Sequence, residues 1–230
     1  DNSLSGLLDL SMLVNLQTLY CSSNYGLTSL DLSGNSVLTT LVCKANNNIT
    51  TLDLSPCPQL SSVYLFNNSL TSLNTTGLTA LYWLSIGTYD SYYCPLSVLD
   101  LSTNTSLGTL SAPSMQLSSL DLSYNTNLFQ LDLGGNPLVS LDLSANMSLE
   151  YLTLDNTNFK AARFSGELEI SSSSAISTTN DGGSTTVTGT QNALRDGFMN
   201  VTSSSTGEIK TIKPLVLDGD FSSSHPDGLS

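Results

Sequence analysis

The sequence predicts a β-rich solenoid, a stack of short coils with extended segments in both halves of each coil and little helix. Three observations carry that expectation. A pattern L-x-x-L-x-L-x-x-N begins at Leu16 and returns as far as Leu149. Its copies are spaced by 10 or 11 residues, with one longer gap after Leu81. The copies also alternate between two versions, so that the full period is 21 or 22 residues, and self-similarity at such a period marks a repeat architecture.

One version reads LTSLDLSGN at 27–35, LSSLDLSYN at 117–125 and LVSLDLSAN at 138–146; the other reads LQTLYCSSN at 16–24, LTTLVCKAN at 38–46 and LEYLTLDNT at 149–157. We call them the aspartate half and the aromatic half. Successive side chains of an extended segment alternate between faces, so the fourth and sixth residues, such as Leu30 and Leu32, point inward and the fifth, such as Asp31, points out. Asparagines at the ninth position (Asn24, Asn35, Asn46, Asn104, Asn125, Asn136 and Asn146) are expected to satisfy backbone groups where the chain turns the corner. One coil buries about four to six apolar side chains at about 1.5–3 kcal/mol each, less than the entropy of ordering its own residues. Only stacking makes such coils stable.

Thirteen half-repeats over roughly residues 5–165 resemble the leucine-rich-repeat family. The alternating LDLS and LxC halves are most similar to its bacterial surface or secreted members. That resemblance implies a right-handed, parallel-stranded solenoid with terminal caps that binds protein partners across one sheet. LNTTGL at 73–78 and LSAPSM at 110–115 lose the sixth leucine or the ninth asparagine, and local irregularity is expected there. Residues 1–165 are read as the solenoid. Beyond Phe164 the pattern stops, and the Ser/Thr/Gly-rich segment 166–230 is read as a β-rich cap or the start of a following module, with disorder the alternative for 171–190.

Charge narrows the partners. Nineteen acidic residues face six basic ones, and Lys44 is the only basic residue before Lys160, a surface that repels nucleic acid and anionic lipid. No apolar run approaches the roughly 20 residues needed to span a bilayer. The abundance of Ser, Thr and Asn fits an exported protein, so the expected location is extracellular or at the cell surface, and the expected state is a monomer.

The aspartate half carries nearly the same outward residues in every coil: Asp31, Asp53, Asp100, Asp121 and Asp142, with serine two positions on. Such copies stand about 4.8 Å apart when coils stack, close enough for carboxylates to repel by roughly 1–3 kcal/mol. Hydroxyl hydrogen bonds and solvent screening are the expected relief, and calcium binding is the alternative. Asp218 and Asp220 form a second, incomplete calcium-type loop. The aromatic half varies instead, presenting Tyr20, Tyr64, Phe66, Tyr82, Trp83, Phe129 and Tyr151, and the longer gap adds Tyr89, Tyr92 and Tyr93. Exposed rings that vary from coil to coil are the candidate ligand site, for a protein or a glycan, with the cluster around Tyr82, Trp83 and the insertion as its centre.

Cys21 and Cys43 share the inward sixth position one coil apart and are expected to be buried thiols. Cys57 and Cys94 fall at different corners. No C-x-x-C spacing suggests zinc, and His225, the only histidine, lies in a terminal loop without a frame for a Ser-His-Asp site. The expected function is therefore binding without catalysis and without a required cofactor. A structural spacer and a polysaccharide-targeting accessory domain are the alternatives.

Overall fold

The computed structural model describes residues 3–88, 94–138, 140–143 and 145–153, together with backbone strands between 161 and 212. In chain order the strands are β1 (Ser5–Asp9), β2 (Thr18–Tyr20), β3 (Gly26–Asp31), β4 (Thr40–Val42), β5 (Thr51–Asp53), β6 (Ser62–Tyr64), β7 (Ser72–Asn74), β8 (Trp83–Ser85) and β9 (Thr109–Ser111). There follow β10 (Gln130–Asp132), β11 (Ser140–Leu143), β12 (Tyr151–Thr153), β13 (Ala161–Phe164), β14 (Leu168–Ser172), β15 (Thr185–Gly189), β16 (Met199–Ser203) and β17 (Ile209–Ile212). Among the described residues there is no helix.

The aromatic halves build one long sheet in which β2, β4, β6, β8, β9, β10, β12 and β14 lie side by side in parallel. Register is strict where the repeat is strict: Leu19, Leu41, Val63, Leu84, Leu110, Leu131 and Leu152 form one inward row. After β14 the pairing changes to antiparallel through β15, β16 and β17. The aspartate halves pair less continuously, as β1 with β3, β5 with β7 and β11 with β13. Between the two sides runs one continuous core of leucines, joined by Ile49, Ile86 and the four buried cysteines. Each coil thus closes its apolar face only against its neighbours, as a solenoid requires.

The two halves turn their corners differently. In the aromatic half the eighth residue is left-handed at Ser23, Ala45, Asn67, Ser114 and Gly135, with φ between 52° and 72°. This conformation lets the amide of the eighth residue keep the inter-coil ladder, as when Ala45 N–H donates to Phe66 C=O at 2.9 Å. In the aspartate half the eighth position takes Pro56 in one coil, and the fifth-position carboxylate does the capping instead. Asp9, Asp31, Asp53, Asp100 and Asp121 each accept the backbone N–H of the residue two positions on, at 2.9–3.0 Å.

The ninth-position asparagines are buried and hold successive coils together. Asn125 Nδ2 donates to the carbonyls of Leu101 and Asn104, and Asn146 Nδ2 to those of Leu122 and Asn125. In the aromatic half the acceptor side of the amide is used as well: Asn24 N–H donates to Asn46 Oδ1 at 2.8 Å, and Asn46 N–H to Asn68 Oδ1 at 3.2 Å. Asn68 belongs to this ladder although the sequence reading did not single it out. Cys57 replaces asparagine at one ninth position and points its thiol at the Leu32 carbonyl, 3.9 Å away.

The irregularity expected at 73–78 and 110–115 is absorbed without loss of register. Thr75 stands at the sixth position, buried, and its hydroxyl donates to the Asp100 carbonyl at 3.0 Å and also bonds Asn104 Oδ1. Met115 fills the ninth position and is fully buried. At 73–78 the chain adopts a left-handed Gly77.

Candidate functional site

The outer face of the long sheet carries the third, fifth and seventh residues of each aromatic half. From β2 to β9 these are Thr18, Tyr20 and Ser22; Thr40, Val42 and Lys44; Ser62, Tyr64 and Phe66; Trp83, Ser85 and Gly87; Thr109, Ser111 and Pro113. No acid occurs among them. The described acids of these coils stand on the aspartate half, and acidity reaches the described sheet face only later, with Asp132 at a fifth position.

Among the described residues two aromatic pairs are found here; the expected cluster of Tyr82 and Trp83 with the insertion falls partly outside them. In the first, Tyr64 and Trp83 lie diagonally across β6 and β8, ring centroids 6.0 Å apart and planes inclined by 34°. Lys44 holds its ammonium 5.1 Å from the centre of the Tyr64 ring, within the range of a cation–π contact. Tyr64, Phe66 and Trp83 are partly buried while Lys44 is exposed. The Trp83 indole N–H is enclosed and has no hydrogen-bond partner among the described residues. In the second group, Phe129 and Tyr151 meet edge to face at 5.2 Å.

Tyr82 and Trp83 diverge because they are consecutive residues. Trp83 leans toward Tyr64, whereas Tyr82 lies across the backbone of Gly108 in the next coil, where a β-carbon would collide with its ring. Tyr82 keeps 52% of its surface exposed. Tyr20 stands apart from these pairs, 73% exposed on β2. Tyr89, Tyr92 and Tyr93 lie outside the described residues, as do Asp218, Asp220 and His225. Sequence reasoning missed Lys44 and Gly108 as parts of the site. Writing the repeats in columns gives the signal, since Lys44 falls two columns from Tyr64 in the preceding coil and Gly108 falls between Tyr82 and Phe129.

The aspartate row has a structural task. The Ser11 and Ser102 hydroxyls chiefly hold the Asp9 and Asp100 carboxyls below their ordinary value, and the Ser123 amide does the same for Asp121. Repulsion from Asp100 and Asp142 pushes Asp121 the other way, but less strongly. Asn74 breaks the row and donates to Asp53 Oδ1 at 2.9 Å. Among the described residues no three His, Cys, Asp or Glu side chains converge on a point where a metal could be held.

The four cysteines are free and buried. A hydrogen bond with Cys21, then burial, pushes the Cys43 thiol far up, and burial pushes Cys57 up to about 11. A buried thiol that stays protonated is a poor nucleophile. No helix among the described residues is long and apolar enough to cross a membrane.

Parallel coils, the in-register leucine row and the asparagine ladder define a leucine-rich-repeat solenoid. The fold is shared with a solved bacterial structure. The functional domain of InlJ from Listeria monocytogenes, which includes a cysteine ladder, is similar over 92% of this chain with 20% identity and a TM-score of 0.53. The chain spans 62% of that chain's length. The internalin InlF from Listeria monocytogenes is 21% identical over 65% of this chain and 58% of its own, with a TM-score of 0.38. No family model and no curated protein matches the sequence.

Proposed function

We propose that the chain is a non-catalytic binding module of an exported or cell-surface protein, and that it takes a protein or glycan partner on the outer face of its long sheet. The segregation of charge carries this reading. Among the described residues of the first five coils the carboxylates Asp9, Asp31, Asp53, Asp100 and Asp121 all stand on the aspartate halves, which leaves the opposite face neutral, hydroxyl-rich and aromatic. A face with half-exposed rings and no acids loses little on desolvation, whereas a row of carboxylates loses much. The aspartate half spends its polar atoms on its own turns. The likeness to internalin structures supports the fold on which this reading depends.

Glycan and extracellular-protein arrays probed with the intact chain test it. The expected result is binding to at least one member, weakened by about tenfold or more in Tyr64→Ala/Trp83→Ala. Binding unchanged in that variant, or no binding on either array, contradicts it and leaves a spacer.

A further inference from the structure

We propose that the Lys44–Tyr64–Trp83 group is a subsite for a carboxylated saccharide. This rests on the binding reading above and names the chemistry of one of its partners. Lys44 is the only basic residue before Lys160 in a chain with nineteen acids. It nevertheless sits on the stretch of sheet face from β2 to β9 whose outward positions carry no acid, pairs with no carboxylate among the described residues, and lies over a ring. With no described carboxylate of its own molecule paired to it, this ammonium can meet one from outside.

The rest of the subsite selects what carries that carboxylate. Tyr64 and Trp83, inclined by 34° with centroids 6.0 Å apart, offer two ring faces to the C–H surface of a sugar. Thr40 and Ser62 continue the row of Trp83 across β4 and β6 and supply hydroxyls for the sugar's own. A peptide finds less here. The backbone of β4, β6 and β8 is committed on both sides to the parallel ladder, so no strand can be added to the face. Apart from Val42 and Pro113, the third, fifth and seventh positions from β2 to β9 carry no aliphatic side chain. Apolar ring, hydroxyl and a single cation are the complement of a uronic-type sugar.

The test titrates the chain with three probes, read by calorimetry and by fluorescence of the single tryptophan: a uronic acid oligosaccharide, its carboxyl-reduced neutral counterpart, and a glutamate-rich peptide of equal charge. The acidic oligosaccharide is expected to bind and to shift Trp83 emission, with the neutral counterpart about tenfold or more weaker. Lys44→Gln is expected to lose that factor for the acidic probe and nothing for the neutral one, and Lys44→Arg to restore it in part. Equal affinity for the acidic and neutral probes, indifference to Lys44→Gln, preference for the peptide, or no saccharide binding each overturns the proposal. If Tyr64→Ala/Trp83→Ala still abolishes binding to a neutral glycan or a protein on the arrays, the binding reading stands alone. If it does not, both fall.

Discussion

The Asn125 side chain is fully buried, and its amide donates to the carbonyls of Leu101 at 3.0 Å and Asn104 at 2.9 Å. Each carbonyl also accepts a backbone N–H, Leu101 from Asn104 at 3.0 Å and Asn104 from Leu107 at 3.1 Å, so Asn125 is the second donor of both. Asn125→Leu removes that second donor from both, and the expected loss is about 1–3 kcal/mol of unfolding free energy, measured by urea denaturation. A loss within experimental error contradicts the role given to the ladder. The exposed aspartates act more weakly but leave a signature in pH. Because the folded Asp9, Asp100 and Asp121 carboxyls lie below their ordinary value, they contribute stability that is complete above the unfolded value and is lost as pH falls through the folded one. Relief of self-repulsion on acidification works against this. The comparison that isolates the caps is Asp100→Asn/Asp121→Asn, which is expected to lose less stability than the parent chain between about pH 6 and pH 3. Parallel pH profiles would contradict it.

At the scale of elements, the eighth position separates the halves. Ala45 has φ of 54° and donates its N–H to Phe66; proline can do neither. Ala45→Pro is expected to destabilise by about 3 kcal/mol or more, whereas Tyr124→Pro, at the position Pro56 occupies in its own coil, is expected to cost far less. Equal denaturant midpoints for the two variants would contradict the distinction. The long sheet, its register and the inward leucine rows were legible because period two and the 21–22-residue repeat leave one solution for burying Leu19, Leu41 and Leu84. The left-handed corners were not legible: Ser23, Ala45, Asn67 and Ser114 share a conformation and no residue type. Nor was the discontinuity of the aspartate side, since Leu96–Leu101 and Leu117–Leu122 repeat the pattern of β3 and β5 without becoming strands. Their sequence encodes burial, while pairing depends on how closely neighbouring coils approach.

Over the whole molecule, the division of chemistry between two faces follows from the same repeat. One half spends its outward carboxylates on capping turns, coil after coil, and so must stay nearly constant. Corners made by backbone conformation and buried asparagine free the outward positions of the other half to vary. That freedom is why aromatic residues on the long sheet were visible as candidates from sequence. Their division into Tyr64–Trp83 and Phe129–Tyr151 was not, because it depends on which way consecutive rings such as Tyr82 and Trp83 lean, and Gly108 decides one of them. The two faces can be compared directly by affinity for whichever array member binds, with Tyr64→Ala/Trp83→Ala set beside Asp100→Asn/Asp121→Asn, both shown folded by circular dichroism. The account expects the aromatic variant to lose about tenfold or more in affinity and the aspartate variant to stay within about twofold of the parent. Loss of affinity in the aspartate variant with the aromatic one intact would place the partner on the opposite face and contradict the central claim.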